Sequence, residues 1–489
     1  MLFPTTVFAL FFLLVFLLHW GTEPYPVLRK WGLLAASLFF YGFWSWKFAL
    51  MLLASACVNH QAASLLARWT QETQRRRLVV LIVTLNLLGL VFFKYTRFLS
   101  VHILLPVLRP LFQAFHATEA LFDGVEYLLP YIDQIVLPVG ISFYTFQALS
   151  YVLDVYWRRI SPAKTMLDFA NYLAFFPQLV AGPIVRASDL LSQMETLPLR
   201  TLRLNVGRAA TLILVGLLKK MVVANWLAEH LADPVFSNPA AYSGGDLLLG
   251  VYGYTLQIYC DFSAYSDIAI GVALLFGFHF PINFNAPYFA VTLQDFWRRW
   301  HISLSSWLRD YLYIPLGGSR KSEFRTRVNL LLTFVLGGLW HGAGWTFVLW
   351  GAFHGLYLSL ERVVCKVLGG GETVSRASPY VKLLGRIWIF HVVAVSWILF
   401  RAVDLETVGL IFSGILDWRG NISLFSPQTC TMLFTAYVLQ CTDADRMERL
   451  WFRLERLHWA WLGLGTAVGL AIIVGLAPKG VLPFIYFQF

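Results

Sequence analysis

The stretch RWTQETQRRRLVVLIVTLNLLGLVFFKYTRF, residues 68–98, decides the class of fold. From Leu78 to Phe98 the chain stays apolar for about 20 residues, the length a helix needs to cross a ~30 Å hydrocarbon core. Just before it, Arg68, Arg75, Arg76 and Arg77 stand against a single acid, Glu72. Short loops rich in Lys and Arg stay on the cytoplasmic side of a membrane, so this segment gives both a span and its direction.

The rest of the chain has the same character. Of 489 residues, 58% are hydrophobic, 17% aromatic and only 13% charged, and the mean hydropathy is +0.64. A soluble domain carries roughly 25% charged residues. A cytosolic enzyme, a disordered scaffold and a nucleic-acid-binding protein are excluded, despite a formal net charge of +11. Cys57, Cys260, Cys365, Cys430 and Cys441 are scattered without CxxC or CxxH spacing, so no disulfide framework and no metal site are expected.

Further apolar stretches of spanning length fall near 2–20, 32–46, 48–66, 131–156, 208–228, 246–276, 380–402 and 459–476. Shorter or broken ones lie near 166–185, 282–316, 328–360 and 405–440. The expectation is an all-α polytopic membrane protein with about eleven embedded segments, some re-entrant or broken. No internal repeat is visible. The first run has no basic n-region before it and no small-residue cleavage site after it, so it reads as a retained span. Counting back three spans from Arg68 puts the N-terminus outside. Counting forward puts the 99–130 loop outside, with Arg109 alone among several acids, and returns inside at Arg158, Arg159 and Lys164.

The densest basic stretch, 297–327, carries Arg298, Arg299, Arg309, Arg320, Lys321, Arg325 and Arg327 against Asp310 and Glu323. It reads either as a positive-inside anchor on anionic headgroups or as a docking surface for an acidic or phosphate-bearing donor. Asp295 and Asp310 are expected to pair with the neighbouring arginines rather than orient a histidine.

Two histidines stand out. His341 lies in GGLWHGAGW (337–345), about 20 Å beyond Val328 if the preceding run is helical. An ionisable group at that depth costs on the order of 2 kcal/mol or more and must face protein or water. It is either a neutral histidine bonded between helices or a functional group. One straight helix over 328–360 would be too long for an untilted span, and Gly337, Gly338, Gly342 and Gly344 offer a break at the histidine. With a basic connection at 362–386, this segment becomes a broken hairpin. The second candidate, His301, lies in FWRRWHISLSSWLRDYLYIPLGG (296–318); on a helix Trp297, His301 and Ser305 share one face. That segment reads equally as an aromatic and basic interfacial anchor. HExxH, GxSxG and Walker patterns are absent.

The ordered series LPVGISFYTFQALSYVLDVY (137–156), FFPQLVAGPIVR (175–186), YCDFSAYSDIAIG (259–271), NFNAPY (283–288), FWRRWHISLSSWLRDYLYIPLGG (296–318) and GGLWHGAGWTFVLWGAFHG (337–355), with the PFIYFQF tail (483–489), resembles the membrane-bound O-acyltransferases, and more narrowly their bacterial alginate O-acetyltransferase branch. The resemblance implies one membrane domain over 1–489, with its motif-bearing core at about 131–362 and C-terminal spans at about 380–476, around a central funnel. It implies an inner-membrane acyltransferase without bound cofactor, taking acetyl from acetyl-CoA or another acyl thioester such as an acyl carrier protein. The acceptor side would be a periplasmic or membrane-anchored acetyltransferase partner working with a polysaccharide synthase or secretion complex. Alginate, cellulose, peptidoglycan and other exopolysaccharides stay open as polymers.

The family's invariant histidine falls on His341 and its second polar position on His301. His341 would act as general base, since an imidazole titrates near neutrality. His301 would position donor or acceptor, or polarise the thioester. Trp297, Arg298, Arg299, Ser305, Trp340 and Trp345 are the expected substrate-binding residues, and His354 is expected to pack or line the cavity. A D-alanyl-transfer or peptidoglycan-acylating relative is the alternative within the family. A transporter or flippase is the alternative outside it, although the single Gly-interrupted region lacks the paired halves such proteins often carry.

Overall fold

The computed structural model describes residues 3–107, 130–180, 182–199, 204–367, 378–441 and 444–478, so Arg109, residues 368–377 of the basic 362–386 connection and the 483–489 tail lie outside the described residues. Every regular element among the described residues is helical. The N-terminal group is α1 (Thr6–Gly21), α2 (Pro26–Gly42), α3 (Trp46–Arg68), α4 (Glu72–Leu99), α5 (Ile141–Tyr156) and the short α6 (Met166–Ala174). A continuous helical track, α7 (Val206–Ser237), leads to the long α8 (Gly244–Leu275). Then come α9 (Leu293–Arg299), α10 (Ile302–Leu308), α11 (Glu323–His341), α12 (Trp345–Val367) and α13 (Pro379–Arg401). The C-terminal group is α14 (Leu405–Asp417), α15 (Pro427–Gln440), α16 (Ala444–Leu454) and α17 (Trp459–Leu476).

Among the described residues, six helices are long and apolar enough to cross a membrane: α3, α4 with its continuation to Val107, α7, α8, α13 and α17. The remaining expected segments are shorter or more polar: α1 is apolar but has 16 residues. The 166–185 run divides into α6 and a single turn at Phe176–Leu179. Polar side chains start the helices. Thr5, Asn205 and Ser243 accept from the backbone N–H of Phe8, Arg208 and Asp246, satisfying donors that a helix N-terminus leaves orphaned. The core sits around α8, whose residues are buried almost throughout. Helix α17 is the opposite case, exposing nearly all of its apolar surface, as a lipid-facing helix does.

Two consecutive lysines tie α7 to α8. A π-helical stretch, Leu218–Ala224, carries Lys219 to Asp267 (2.8 Å) and Ser263 (3.2 Å), and Lys220 to Asp261 (2.7 Å). Charges at such depth are tolerated because they are paired.

The 328–360 region is the expected hairpin. Helices α11 and α12 run antiparallel, and Glu323 at the base takes Arg362 at 3.3 Å and Lys366 at 3.6 Å. The two backbones touch where side chains are missing: a Cβ on Gly338 would strike the Phe347 carbonyl, and one on Gly351 the Phe334 carbonyl. The chain turns through extended Gly342, leaving His341 as the last residue of α11, about 27 Å along the axis from Glu323.

The 293–308 region differs from expectation. It is two short helices broken at Trp300–His301, and His301 adopts a left-handed conformation with φ 43°. Trp297, His301 and Ser305 therefore do not share one helix face. The cause is tertiary: residues 283–285 lie alongside the break, where Ile302 N–H donates to Asn283 O and Asn285 N–H to Arg299 O, both at 2.9 Å.

Candidate active site

The hairpin end and the 301 break meet on one indole. Trp340 is buried, with its ring centroid 4.9 Å from that of His341 and 6.3 Å from that of His301. Phe143 and Phe146 of α5 close its other sides at 5.5 and 5.2 Å. His341 also contacts Trp350 (5.2 Å) and Phe400 (5.1 Å) edge-on. Trp350 in turn lies 4.7 Å from His354. Three buried histidines and two buried tryptophans thus form one aromatic cluster.

Two of these rings have polar partners at Nδ1. Trp297 Nε1–H, a donor only, points at His354 Nδ1 at 3.3 Å. The neutral His354 ring therefore carries its proton on Nε2. His301 Nδ1 lies 3.2 Å from Asn283 Oδ1, and its Nε2 has no hydrogen-bond partner among the described residues.

His341 is held by its backbone. The last carbonyls of a helix need donors from elsewhere, and α4 supplies them. Lys94 Nζ donates to the carbonyls of Trp340 and His341, the latter at 2.8 Å, and Tyr95 Oη donates to that of Leu339. The ammonium also favours the negative end of the α11 dipole.

The expected binding residues divide. Trp340 and Trp297 belong to the cluster. Arg298 is exposed, and Arg299 pairs with Asp295 at 2.8 Å. Ser305 donates to the Trp300 carbonyl, capping the broken helix. Trp345 is 48% exposed beside Phe98 at the start of α12. Asp310 pairs with Arg186 (2.8 Å) and Arg309 (2.6 Å), as expected for a charge partner rather than a histidine's orienter. Burial alone would raise its pKa, but hydrogen bonds from Arg309 and Arg186 hold it below the usual carboxylate value. His354, expected to pack, does so while hydrogen-bonded. Lys94, Tyr95 and Asn283 had no role in the sequence reading. Of these only Lys94, a cation inside an apolar run, offered a signal.

The cluster brings together imidazoles suited to proton transfer. No group of three or more His, Cys, Asp or Glu side chains arranged to hold a metal occurs among the described residues.

Comparison with known proteins gives the same direction. The model of the "MBOAT, membrane-bound O-acyltransferase family" matches residues 70–400. A protein of Azotobacter vinelandii named "Probable alginate O-acetylase AlgI" is 38% identical over 452 residues, covering 90% of this chain and 84% of that one. The "Peptidoglycan O-acetyltransferase" of Helicobacter pylori is 36% identical, over 86% of this chain and 80% of its own. The "Teichoic acid D-alanyltransferase" of Streptococcus thermophilus is 29% identical, over 58% of this chain and 71% of its own. The chain belongs to the membrane-bound O-acyltransferase family and is an integral-membrane acyltransferase rather than a transporter or flippase.

Proposed function

We propose that the chain moves an acetyl group from a cytoplasmic thioester, acetyl-CoA or an acyl carrier protein, through the bacterial inner membrane to O-acetylate a secreted polysaccharide by way of a periplasmic or membrane-anchored partner transferase. The convergence of His341 and His301 on Trp340, within the membrane-embedded core, carries this reading. The relatives named for alginate and peptidoglycan O-acetylation support acetyl as the group and a cell-envelope polymer as its destination.

In the reaction, an acceptor hydroxyl oxygen attacks the thioester carbonyl carbon. A C–O bond forms, the C–S bond breaks, and the hydroxyl proton passes through His341 to the departing sulfur, which leaves as a thiol. A general base of this kind contributes about 10²–10⁴ in rate. His301 positions donor or acceptor, Trp340 and Trp297 wall the site, and exposed Arg298 with the basic 297–327 surface meets the donor.

His341→Ala should abolish polymer acetylation while leaving expression and membrane insertion intact. Acetylation at the wild-type level in that variant would remove His341 from the chemistry. A D-alanyl-type activity is the second reading, supported by the teichoic acid relative. Isolating the enzyme with its thioester partner and identifying the acyl group on it, acetyl or D-alanyl, separates the two.

A further inference from the structure

We propose that Asn283 is a positioning residue that fixes the proton of neutral His301 on Nδ1, so that His301 serves the site with the lone pair of Nε2. The inference rests on the acyltransferase reading of this site and narrows it: a neutral His301 held this way accepts a hydrogen bond from a substrate donor other than the hydroxyl hydrogen that His341 removes, and does not polarise the thioester carbonyl.

The orientation of the Asn283 amide follows from groups whose roles are unambiguous. The backbone N–H of Ser303 only donates, and it lies 3.2 Å from one side-chain atom of Asn283, which must be the oxygen. The other side agrees, with Nδ2 donating to Ser266 Oγ on α8 at 3.0 Å. His301 Nδ1 sits 3.2 Å from that same oxygen. Among the described residues, the other hydrogen-bonding atom beside Nδ1 is Ser303 Oγ at 3.4 Å. That hydroxyl spends its hydrogen on Asn283 Oδ1 (2.9 Å) and accepts from Ile184 N–H (3.0 Å). Both neighbours of Nδ1 therefore accept, and Nδ1 must carry the hydrogen.

Nε2 is then an acceptor, buried and without a hydrogen-bond partner among the described residues. It lies within an aromatic shell whose ring centroids, those of Phe262, Trp340, Phe143 and Phe284, are 4.6 to 6.4 Å from the imidazole. An unmade hydrogen bond at a buried acceptor costs about 1–3 kcal/mol. The left-handed backbone of a non-glycine residue adds a cost of similar order. Two costs at one residue, supported by a dedicated amide and a backbone pairing, mark a group kept for a ligand atom.

The test compares N283D with N283L in the full-length protein, reading polymer acetylation in cells at matched expression, beside wild type and H341A. Aspartate keeps an oxygen on Nδ1–H, and Ser266 can turn its hydroxyl to donate to it; leucine keeps neither. The expected result is a loss of about tenfold or more in N283L, with N283D within a few-fold of wild type. A purely structural asparagine gives the reverse order, because a buried carboxylate disturbs the core more than leucine does, and that order overturns the proposal. Histidine ¹⁵N spectra of the purified wild-type protein, with H301Q for assignment, locate the proton without reference to activity. A proton on Nε2 of residue 301 overturns the proposal even if both variants misfold. Retained acetylation in H341A with Nδ1 protonated at residue 301 fails the general-base role given to His341 and leaves the Asn283–His301 pairing standing.

Discussion

Lys94 shows what a single residue can do that its neighbours in sequence do not announce. A lysine near the middle of a span costs about 2.5–3.5 kcal/mol on insertion scales, yet VFFKYTRF carries one. The ammonium is spent on the carbonyls of Trp340 and His341, about 245 positions along the chain, and a bond to a backbone oxygen leaves no side-chain signature at the partner. Asn283 gave no signal either, because its amide meets His301 only once the fold brings the two together, whereas His341 stood out by its depth and His301 by its motif. If Lys94 sets the end of α11, K94M should lower acetylation by about tenfold or more, because hydrogen bonds to charged groups contribute about 1.5–3 kcal/mol each. K94R, which keeps the charge and the donors, should recover part of it. Measurement is by polymer acetylation beside thermal stability in detergent; equal losses in K94M and K94R would argue against a capping role.

At the scale of elements, two breaks in helical sequence had different visibility. The α11–α12 turn was legible because Gly342 and Gly344 sit at it and the combined run is too long for one span. The break at His301 was not. FWRRWHISL contains no Gly or Pro, and local propensity allows a helix through it. The 283–285 segment imposes the break from outside by taking the N–H of Ile302 and the carbonyl of Arg299. Glycine also has a second use in the hairpin, where Gly351 admits the Phe334 carbonyl. G351A should therefore force the two helices apart and destabilise the protein by about 1–3 kcal/mol, as overpacking does. Gly463 on α17 has open space around it, so G463A should be neutral or stabilising by up to about 1 kcal/mol. Melting of both variants in the same detergent checks the contrast; a G351A protein as stable as wild type would mean that the hairpin can relax.

Across the whole molecule, the loops assigned inside by charge form one connected face. Arg75 donates to the Tyr156 carbonyl, and Tyr156 Oη donates to Glu72 at 2.8 Å. Tyr311 donates to Asp154 at 2.6 Å, and Asp310 takes Arg186. Lys30 joins Asp168, and His19 lies 3.2 Å from the Phe276 carbonyl. The opposite face has its own links, Arg401 with Asp233 (2.8 Å) and Asp246 with the N–H of Ser423 (2.8 Å). Orientation is therefore a single binary choice for the entire chain, and the arginines of the 68–77 loop favour that face inside. With it go the basic 297–327 surface and, under the proposed function, the side from which the donor thioester would arrive. Single cysteines at Gln74 and Lys321 should resist a membrane-impermeant maleimide in spheroplasts and react once the membrane is opened. Cysteines at Asn238 and Asn421, exposed on the other face, should react at once. The opposite pattern at all four positions would invert the molecule, placing the basic surface on the periplasmic side and leaving a cytoplasmic thioester to enter from the face of Asp233 and Asp246.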